Sequence, residues 1–431
     1  EYEIDKGYNP DWADYLKRLR NLHNDGEQNT TEHTFQADYT TPIGKLHTLE
    51  AGAKYILRNN SSEDDRFDAD DTGKYEYNKE QSSHYKHLND IIAAYLGYGL
   101  KVKRLSGRLG VRYEHTIQDV KYLVGRGEDF TKNFDDVVPS ASIGYKLTDM
   151  SNLRLGYNMR IYRPGIWYLN PYLNDTDPSY ISQGNSELDS EKSHAFNLSY
   201  SNFTQKFNIN LSARYSFTNN SIENVTKLMP DTEIEGLKNP TGKDVLYSTY
   251  STYANIGKTR RASVSAYVNW NATPRTRIYM NMSGDYSYME GSEGMRNDGW
   301  SLFAYGGAQQ TLPHDWRISL NVFGQTPWIM LQGKGSSFFD YGLSVNKSFL
   351  NKRLTLSAFA SNFFKKYMDQ SSTTEGAGFI RESSYKYSRQ RFGISVSYRI
   401  GELKASVKKA ARTISNDDVK SGGSGSGGGG E

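Results

Sequence analysis

The chain lacks most of the residue combinations on which enzymes and metal sites are built. It contains no cysteine, which excludes disulfides, thiolate metal sites and cysteine nucleophiles. Its eight histidines are scattered without a His-Glu-x-x-His pair, and the sequence has no Gly-x-Ser-x-Gly nucleophile turn. The sequence therefore predicts no enzyme, no cofactor and no metal centre.

One acidic run has part of the spacing of a calcium-binding loop. Within residues 64–73, Asp68, Asp70 and Gly73 stand at offsets that such a loop uses. Lys79, however, stands at the twelfth position, where a bidentate glutamate belongs. We therefore interpret the run as a solvated acidic loop.

Seven arginines stand opposite rows of apolar side chains. If the strands that carry them enclose a space, one interpretation is that the arginines attract anionic solutes into that space or hold a plug inside it by charge. On the other, which we favour, they solvate a water-filled interior or pair with carboxylates there. We identify no equal number of carboxylates on the same face of their strands. These arginines are Arg108, Arg112, Arg154, Arg160, Arg214, Arg317 and Arg399.

The polar stretch 164–191 carries four aromatic side chains. Aromatic rings in such a loop either stack on sugars and apolar ligands or pack the loop against its neighbours. We favour packing, and keep the four residues as candidate ligand contacts. They are Trp167, Tyr168, Tyr172 and Tyr180.

The elements that position these residues are predicted to be β-strands. Between Phe207 and Phe217, apolar and polar residues alternate strictly, which is the pattern of a strand with one apolar face. The same alternation recurs along the chain and predicts about 15 strands, several of them longer than the ~5–6 residues of an ordinary globular strand. The 33 tyrosines and 39 glycines suit strands and turns.

The predicted connections alternate between short and long. This order indicates an up-and-down barrel that crosses a membrane, because its two rims then face different compartments. Greek-key sandwiches mix connection lengths, and propellers repeat every four strands, which this sequence does not. The predicted short turns fall near 42–44, 103–104, 148–151, 205–206, 271–275, 312–315 and 350–352, and the long polar stretches near 60–83, 123–135, 164–191, 221–244, 290–297, 329–337 and 368–383.

Tryptophans and overall composition agree with a membrane barrel. Four tryptophans continue apolar rows toward strand ends, as expected of aromatic residues at a membrane interface. The mean hydropathy is −0.74, and no apolar run approaches the ~18 residues of a spanning helix. A net charge of +3 without a dense basic block argues against nucleic-acid binding. The tryptophans are Trp270, Trp300, Trp316 and Trp328.

The predicted fold is all-β, a transmembrane antiparallel up-and-down β-barrel at residues 32–400. Residues 1–31 are predicted to be an irregular lead-in, either loop or short helix. Residues 401–431 are predicted to be a basic, then Gly/Ser-rich, flexible periplasmic tail. The first and last predicted strands run in the same direction, whereas bacterial single-chain barrels have even strand numbers. We therefore expect either the C-terminal part of a larger barrel or a complete barrel of about 16 strands.

Residues 152–200 resemble the barrel of TonB-linked outer-membrane receptors, most closely a branch called the outer-membrane β-barrel family. Serines stand at 186 and 190, where that family usually has prolines. Further similar stretches lie at 36–55, 109–116 and 253–259. The matching elements of the first stretch are Arg163-Pro164, Leu169-Asn170-Pro171, Gly184-Asn185, Leu188 and Glu191.

The resemblance implies the C-terminal barrel portion of a receptor for nutrient uptake in the bacterial outer membrane. It implies a barrel of about 22 strands, so that about seven strands and an N-terminal plug are absent from this sequence. The implied partners are the lipid bilayer, the missing plug and strands, and the TonB complex. Whether a surface lipoprotein is a further partner is left open. The alternatives are a passive porin-like barrel of about 16 strands and a soluble β-rich ligand-binding protein.

Overall fold

A computed structural model describes residues 21–70, 72–125, 129–237, 246–401, 416 and 418–420. Fifteen strands in this part form one continuous wall, in which each strand pairs antiparallel with the next along the chain. The wall strands are β1 (Leu22–Ile43), β2 (His47–Ala69), β3 (Ser83–Val102), β4 (Leu105–Val124), β5 (Phe130–Lys146), β6 (Ser151–Pro164), β7 (Glu191–Phe203), β8 (Phe207–Pro230), β9 (Tyr247–Thr273), β10 (Thr276–Glu290), β11 (Arg296–Leu312), β12 (Trp316–Gln325), β13 (Phe338–Phe349), β14 (Leu354–Ser361) and β15 (Arg391–Tyr398).

The connections alternate as the sequence predicts. One edge of the wall carries only short turns, such as the one in which Gly44 adopts the left-handed conformation, with φ of 65°. The short turns span 44–46, 103–104, 147–150, 204–206, 274–275, 313–315 and 350–353; the opposite edge carries 70–82, 125–129, 165–190, 231–246, 291–295, 326–337 and 362–390.

Both ends of the chain differ from the predicted boundaries. β1 begins at Leu22, not after residue 31, because residues 22–31 pair with Asn59–Asp68 of β2. Residues 1–20 of the predicted lead-in lie outside the described residues. Asn416 and Asp418–Lys420, within the tail that was predicted to be flexible, lie against the wall, where Val419 pairs with Arg163 of β6.

The two faces of the wall carry different side chains. On one face, large apolar residues point outward without cover, for example Leu109 (60% exposed) and Val264 (65% exposed). On the other, polar residues such as Asn89 and Thr116 are buried. Exposure of apolar surface to water has a free-energy cost of about 25 cal/mol per Å², whereas exposure of the same surface to lipid has none. We refer to the apolar face as the outer face and to its opposite as the inner face.

Helices contribute little to the described structure. The helical elements are the α-helix Ile166–Leu169 and the 3₁₀ turns Asp231–Glu233 and Ser292–Gly294. Among the described residues, none of the helices has the length and apolar character to cross a membrane.

Successive side chains of a strand point to opposite faces, so chemical labelling in intact membranes can test which face each residue occupies. Leu211 is an outer-face residue of β8, whereas the exposed Arg214 points to the inner face, 3.4 Å from Asn197 Oδ1. With Leu211→Cys and Arg214→Cys placed singly in this cysteine-free chain, we expect a water-soluble maleimide to label position 214 and spare position 211. Equal labelling would contradict the assignment of faces in this strand.

Candidate functional site

The connection 165–190, here called the rim loop, crosses the space enclosed by the wall. At one end, Asp175 Oδ1 lies 2.5 Å from Arg66 Nη1 of β2. At the other end, Tyr180–Ser182 pairs with Thr249–Ser251 of β9. Six wall strands separate β2 from β9, which is about 34 Å along a flat sheet at ~4.8 Å per strand. A loop that contacts both strands therefore spans a curved wall from one side to the other.

An apolar cluster anchors the rim loop to the inner face. Leu169 and Leu188 of the loop are buried against Tyr85, Val120 and Ile222, which belong to three different wall strands. Polar residues alternate with apolar ones on this part of the inner face, so the cluster forms only where the loop covers it. The mouth of the wall thus has a packed core of its own.

Three of the four predicted ligand-contact residues of the rim loop are half-buried. Tyr168 packs edge-on against Tyr253 with 4.7 Å between ring centroids, and burial raises the pKa of Tyr168 to about 12. Burial likewise raises the pKa of Tyr172 to about 12. Tyr180 lies under Arg381, whose guanidinium carbon is 3.7 Å from the ring centroid. Trp167 alone of these four is open to solvent, at 58% exposed.

Two further connections pair with each other, and one of them contacts the rim loop through Arg381 on the ring of Tyr180. The hairpin of Tyr367–Gly376 and Phe379–Ser388 pairs with Gly333–Lys334 of the connection 326–337. Gln332 in that connection is buried and exchanges two hydrogen bonds with the backbone of Thr226, at 2.7 and 2.9 Å. We call these three connections together the rim assembly.

A cavity of about 700 Å³ lies between the hairpin at 367–388, the connection 326–337 and the ends of β8 and β11. Among its described lining residues, Arg296 and Lys334 are cations and Glu375 is a carboxylate. Cations that outnumber carboxylates in a partly enclosed space raise the local concentration of anions. The cavity is therefore suited to an anionic or polar ligand of small-molecule size.

The predicted inward arginines occupy different surroundings. Arg108 of β4 forms an ion pair with Glu50 of β2, across the intervening β3. It can reach because Gly97, the partner of Glu50 in β3, has no side chain to block the path. The Nε atom of Arg112 lies 2.6 Å from Glu114 Oε1. The sequence analysis identified no equal number of inward carboxylates; Glu50 and Glu114 are two carboxylates that the structure places beside these arginines.

The other predicted arginines do not form one site. Arg154 and Arg160 lie on β6, Arg214 on β8 and Arg317 on β12. Arg399 follows the last residue of β15, and its backbone N–H donates to the carbonyl of Arg353. Two buried arginines that the sequence analysis did not single out, Arg58 and Arg163, form the densest ionic cluster of the inner face. Arg163 was part of the Arg-Pro pair in the family resemblance, which was its only sequence signal.

Three of the four predicted interface tryptophans lie exposed on the wall. Trp270 and Trp316 stand beside short turns, and Trp300 stands toward the opposite edge, with 43–65% exposure. Trp328 is different, because β12 ends at Gln325 and does not carry the apolar row that far. Its ring covers Gly335, where a Cβ atom would come within 2.0 Å of it.

The acidic run near residue 70 forms a self-contained turn. The carboxylate of Asp70 accepts hydrogen bonds from the Thr72 hydroxyl and from the backbone of Thr72 and Lys74. These bonds, the hydroxyl first, hold the pKa of Asp70 below its usual range. Asp68 instead accepts from Arg66 at 2.9 Å. Within the described ranges, no group of three or more acidic, histidine or cysteine side chains could hold a metal ion.

Comparisons with known proteins agree with this architecture. The model of a family described as "Outer membrane protein beta-barrel family" matches residues 3–398. Among solved structures, the chain is similar to the copper transporter OprC (TM-score 0.62, 13% identity), to the unliganded ferric citrate transporter FecA (0.61, 14%) and to the ferric yersiniabactin uptake receptor FyuA from Yersinia pestis (0.59, 14%).

Each of these three alignments covers 88% of this chain but only 59%, 55% and 55% of the respective transporter. The chain therefore spans little more than half the length of the structures it matches. At 13–14% identity, the likeness shows a shared fold. A search of curated protein sequences gave no match.

Proposed function

The chain belongs to the outer membrane protein β-barrel family, and from this premise we propose that it is the C-terminal barrel portion of a TonB-dependent receptor that imports a nutrient. Membership confirms the transmembrane barrel fold and the bacterial outer membrane as its location. It excludes the soluble β-rich alternative. The fold is one that transport receptors use.

The observation that carries the proposal is the rim loop, which crosses the mouth of the wall. A passive porin needs an open aqueous path, and its longer loops only narrow that path. Here the rim loop contacts both β2 and β9, and the hairpin at 367–388 contacts it through Arg381 on the ring of Tyr180. Such a mouth favours a receptor that binds its ligand first and releases it inward by a conformational change.

We propose that the whole protein has about 22 strands, with a plug inside the barrel and a segment that contacts TonB. The support is the resemblance of residues 152–200 together with the 55–59% of each similar transporter that the chain covers.

The charge of the rim cavity favours an anionic metal chelate as ligand. Similar structures transport ferric citrate, ferric yersiniabactin and copper, according to their descriptions. In this chain, Arg296 at the start of β11 and Lys334 of the connection 326–337 line the cavity. They provide charge-assisted hydrogen-bond donors for such a chelate.

Uptake of radiolabelled ferric citrate by cells that express the whole protein tests the proposal. We expect uptake to depend on the protein and to stop when a protonophore collapses the proton gradient. The double variant Arg296→Ala/Lys334→Ala should weaken binding ~100-fold or more, since each of the two lost charge-assisted bonds contributes about 1.5–3 kcal/mol. The control Lys352→Ala removes a cation from a short turn at the opposite edge and should leave uptake unchanged.

Two results would contradict the proposal. Protein-dependent uptake that persists with the protonophore would indicate diffusion. Rapid passage of small sugars through liposomes that contain the purified whole protein would support the porin alternative. A third outcome is that ferric citrate is not taken up while another chelate, such as a copper complex, is taken up with energy dependence. That result would contradict the proposed ligand but not the proposal that the protein is a receptor.

A further inference from the structure

A short segment after the last wall strand lies on the inner face. The backbone N–H of Arg163 donates to the carbonyl of Asp418 at 2.7 Å, and Val419–Lys420 pairs parallel with Arg163–Pro164 of β6. Asn416 Nδ2 donates to Thr34 Oγ1 of β1 at 2.8 Å. Backbone and side chains therefore both attach this segment, which we call the inner strap (Asn416 and Asp418–Lys420).

The carboxylate of Asp418 is held between two buried arginines. Arg58 Nη2 lies 3.0 Å from Asp418 Oδ1, and Arg163 Nη1 lies 2.9 Å from Oδ2. The arginine side chains are 4% and 2% exposed, and that of Asp418 is 17% exposed. Both carboxylate oxygens thus accept from guanidinium groups of different strands, β2 and β6.

Charge balance in this cluster requires Asp418. Arg58 also pairs with Glu32 at 2.6 Å, and Arg163 pairs with Glu114 at 2.7 Å. Glu114 is shared with Arg112. Without Asp418, these directly paired side chains comprise three cations and two carboxylates, and an uncompensated buried charge costs several kcal/mol. With Asp418, the numbers are equal.

The position of the cluster shows that the strap is not a passive end of the wall. Arg58 lies 11 residues beyond the first residue of β2 at a short turn, which is about 28 Å along the barrel axis for strands tilted by ~40°. β15 ends at Tyr398, at the short-turn edge. Asp418 follows 20 residues later, and 20 residues span at most about 70 Å when extended. The chain is long enough to bring Asp418 from one edge of the wall to this height.

We infer that Arg58 and Arg163 form a carboxylate-binding site inside the barrel, and that the ligand of this site is the chain's own inner strap. The strap joins β1, β2 and β6 through Thr34, Arg58 and Arg163. It occupies part of the interior beside Arg58 and Arg163, and its release would free two buried arginines for another carboxylate. This inference does not depend on the identity of the imported nutrient.

Disulfide trapping in the whole protein tests the inference without background, because this chain contributes no native cysteine. We expect Asn416→Cys with Thr34→Cys to cross-link under mild oxidation and to close a loop across 382 residues, so that the denatured, unreduced protein migrates faster on a gel. The control pair Asn416→Cys with Phe35→Cys should not cross-link, because Phe35 is the next residue on β1 but points to the outer face at 65% exposure.

The carboxylate itself is tested by Asp418→Asn in the cross-linking pair. We expect the rate of disulfide formation to fall ~10-fold or more, as loss of a charge-assisted pair implies. Asp149→Asn makes the same charge change in a short turn, where the side chain is 95% exposed, and should have no effect.

Three outcomes would overturn the inference. They are equal cross-linking of positions 34 and 35, no cross-linking at either position, and an unchanged rate in Asp418→Asn. If Asp418→Asn prevented the barrel from folding, the comparison of positions 34 and 35 in the otherwise unchanged protein would still decide whether the strap lies inside.

Discussion

Replacement of Arg66 by Met is expected to release the rim loop from the wall. Arg66 is 1% exposed, and its guanidinium pairs with Asp68 of its own strand at 2.9 Å and with Asp175 of the rim loop at 2.5 Å. A methionine fills a similar volume but leaves both carboxylates without their cation. Breaking a buried ion pair from one side costs about 3–5 kcal/mol, and this cost falls on the attachment of the loop.

Limited proteolysis of the rim loop in the folded barrel measures this effect. Local opening that becomes easier by about 3–5 kcal/mol raises the cleavage rate of an intact loop ~100-fold or more. The matched control is Lys74→Met, which removes a cation whose pair with Glu76 is exposed on both sides and therefore contributes little. Equal cleavage of the Arg66→Met and unaltered proteins would show that the apolar cluster around Leu169 holds the loop by itself.

The wall could be predicted from sequence because its signals are local. Each strand alternates apolar and polar residues, as at Leu211 and Arg214, and each short turn interrupts that alternation. Every predicted short turn lies at or within a few residues of an observed one. The start of β1 was missed because residues 22–31 contain almost no apolar side chains. They pair with the polar upper part of β2, beyond the apolar band, where no face needs to be apolar.

The site could not be predicted because its contacts join distant residues. Arg66 and Asp175 are 109 positions apart, and nothing in either local sequence marks the other. Arg108 reaches Glu50 across a whole strand, over a glycine whose role appears only when the three strands are in register. The ionic cluster at Arg163 depends on Asp418, in a segment whose composition resembles a flexible tail. Local patterns specify a wall, whereas charge pairing across it depends on how the wall curves and which strands its loops bring together.

Replacement of Leu109 by Arg is expected to prevent most of the protein from folding into the membrane. Leu109 lies four residues into β4 and is 60% exposed on the outer face, about 10 Å above the short-turn edge for a strand tilted by ~40°. That depth lies near the middle of the ~25 Å apolar band, where an arginine facing lipid costs about 2–4 kcal/mol. The period of two gives the strand no alternative register in which this side chain would point inward.

The matched control for this substitution is Ser140→Arg. Ser140 of β5 pairs with Gly110, the residue next to Leu109, but it points to the inner face. An arginine there meets water and polar side chains at the same depth, so we expect folding close to that of the unaltered protein. The folded fraction is measured by the gel mobility of unheated samples in detergent and lipid. If both variants folded equally well, the exposed apolar rows would not face lipid at this depth; if only Leu109→Arg failed, one pair of substitutions would establish which face of β4 and β5 contacts the membrane.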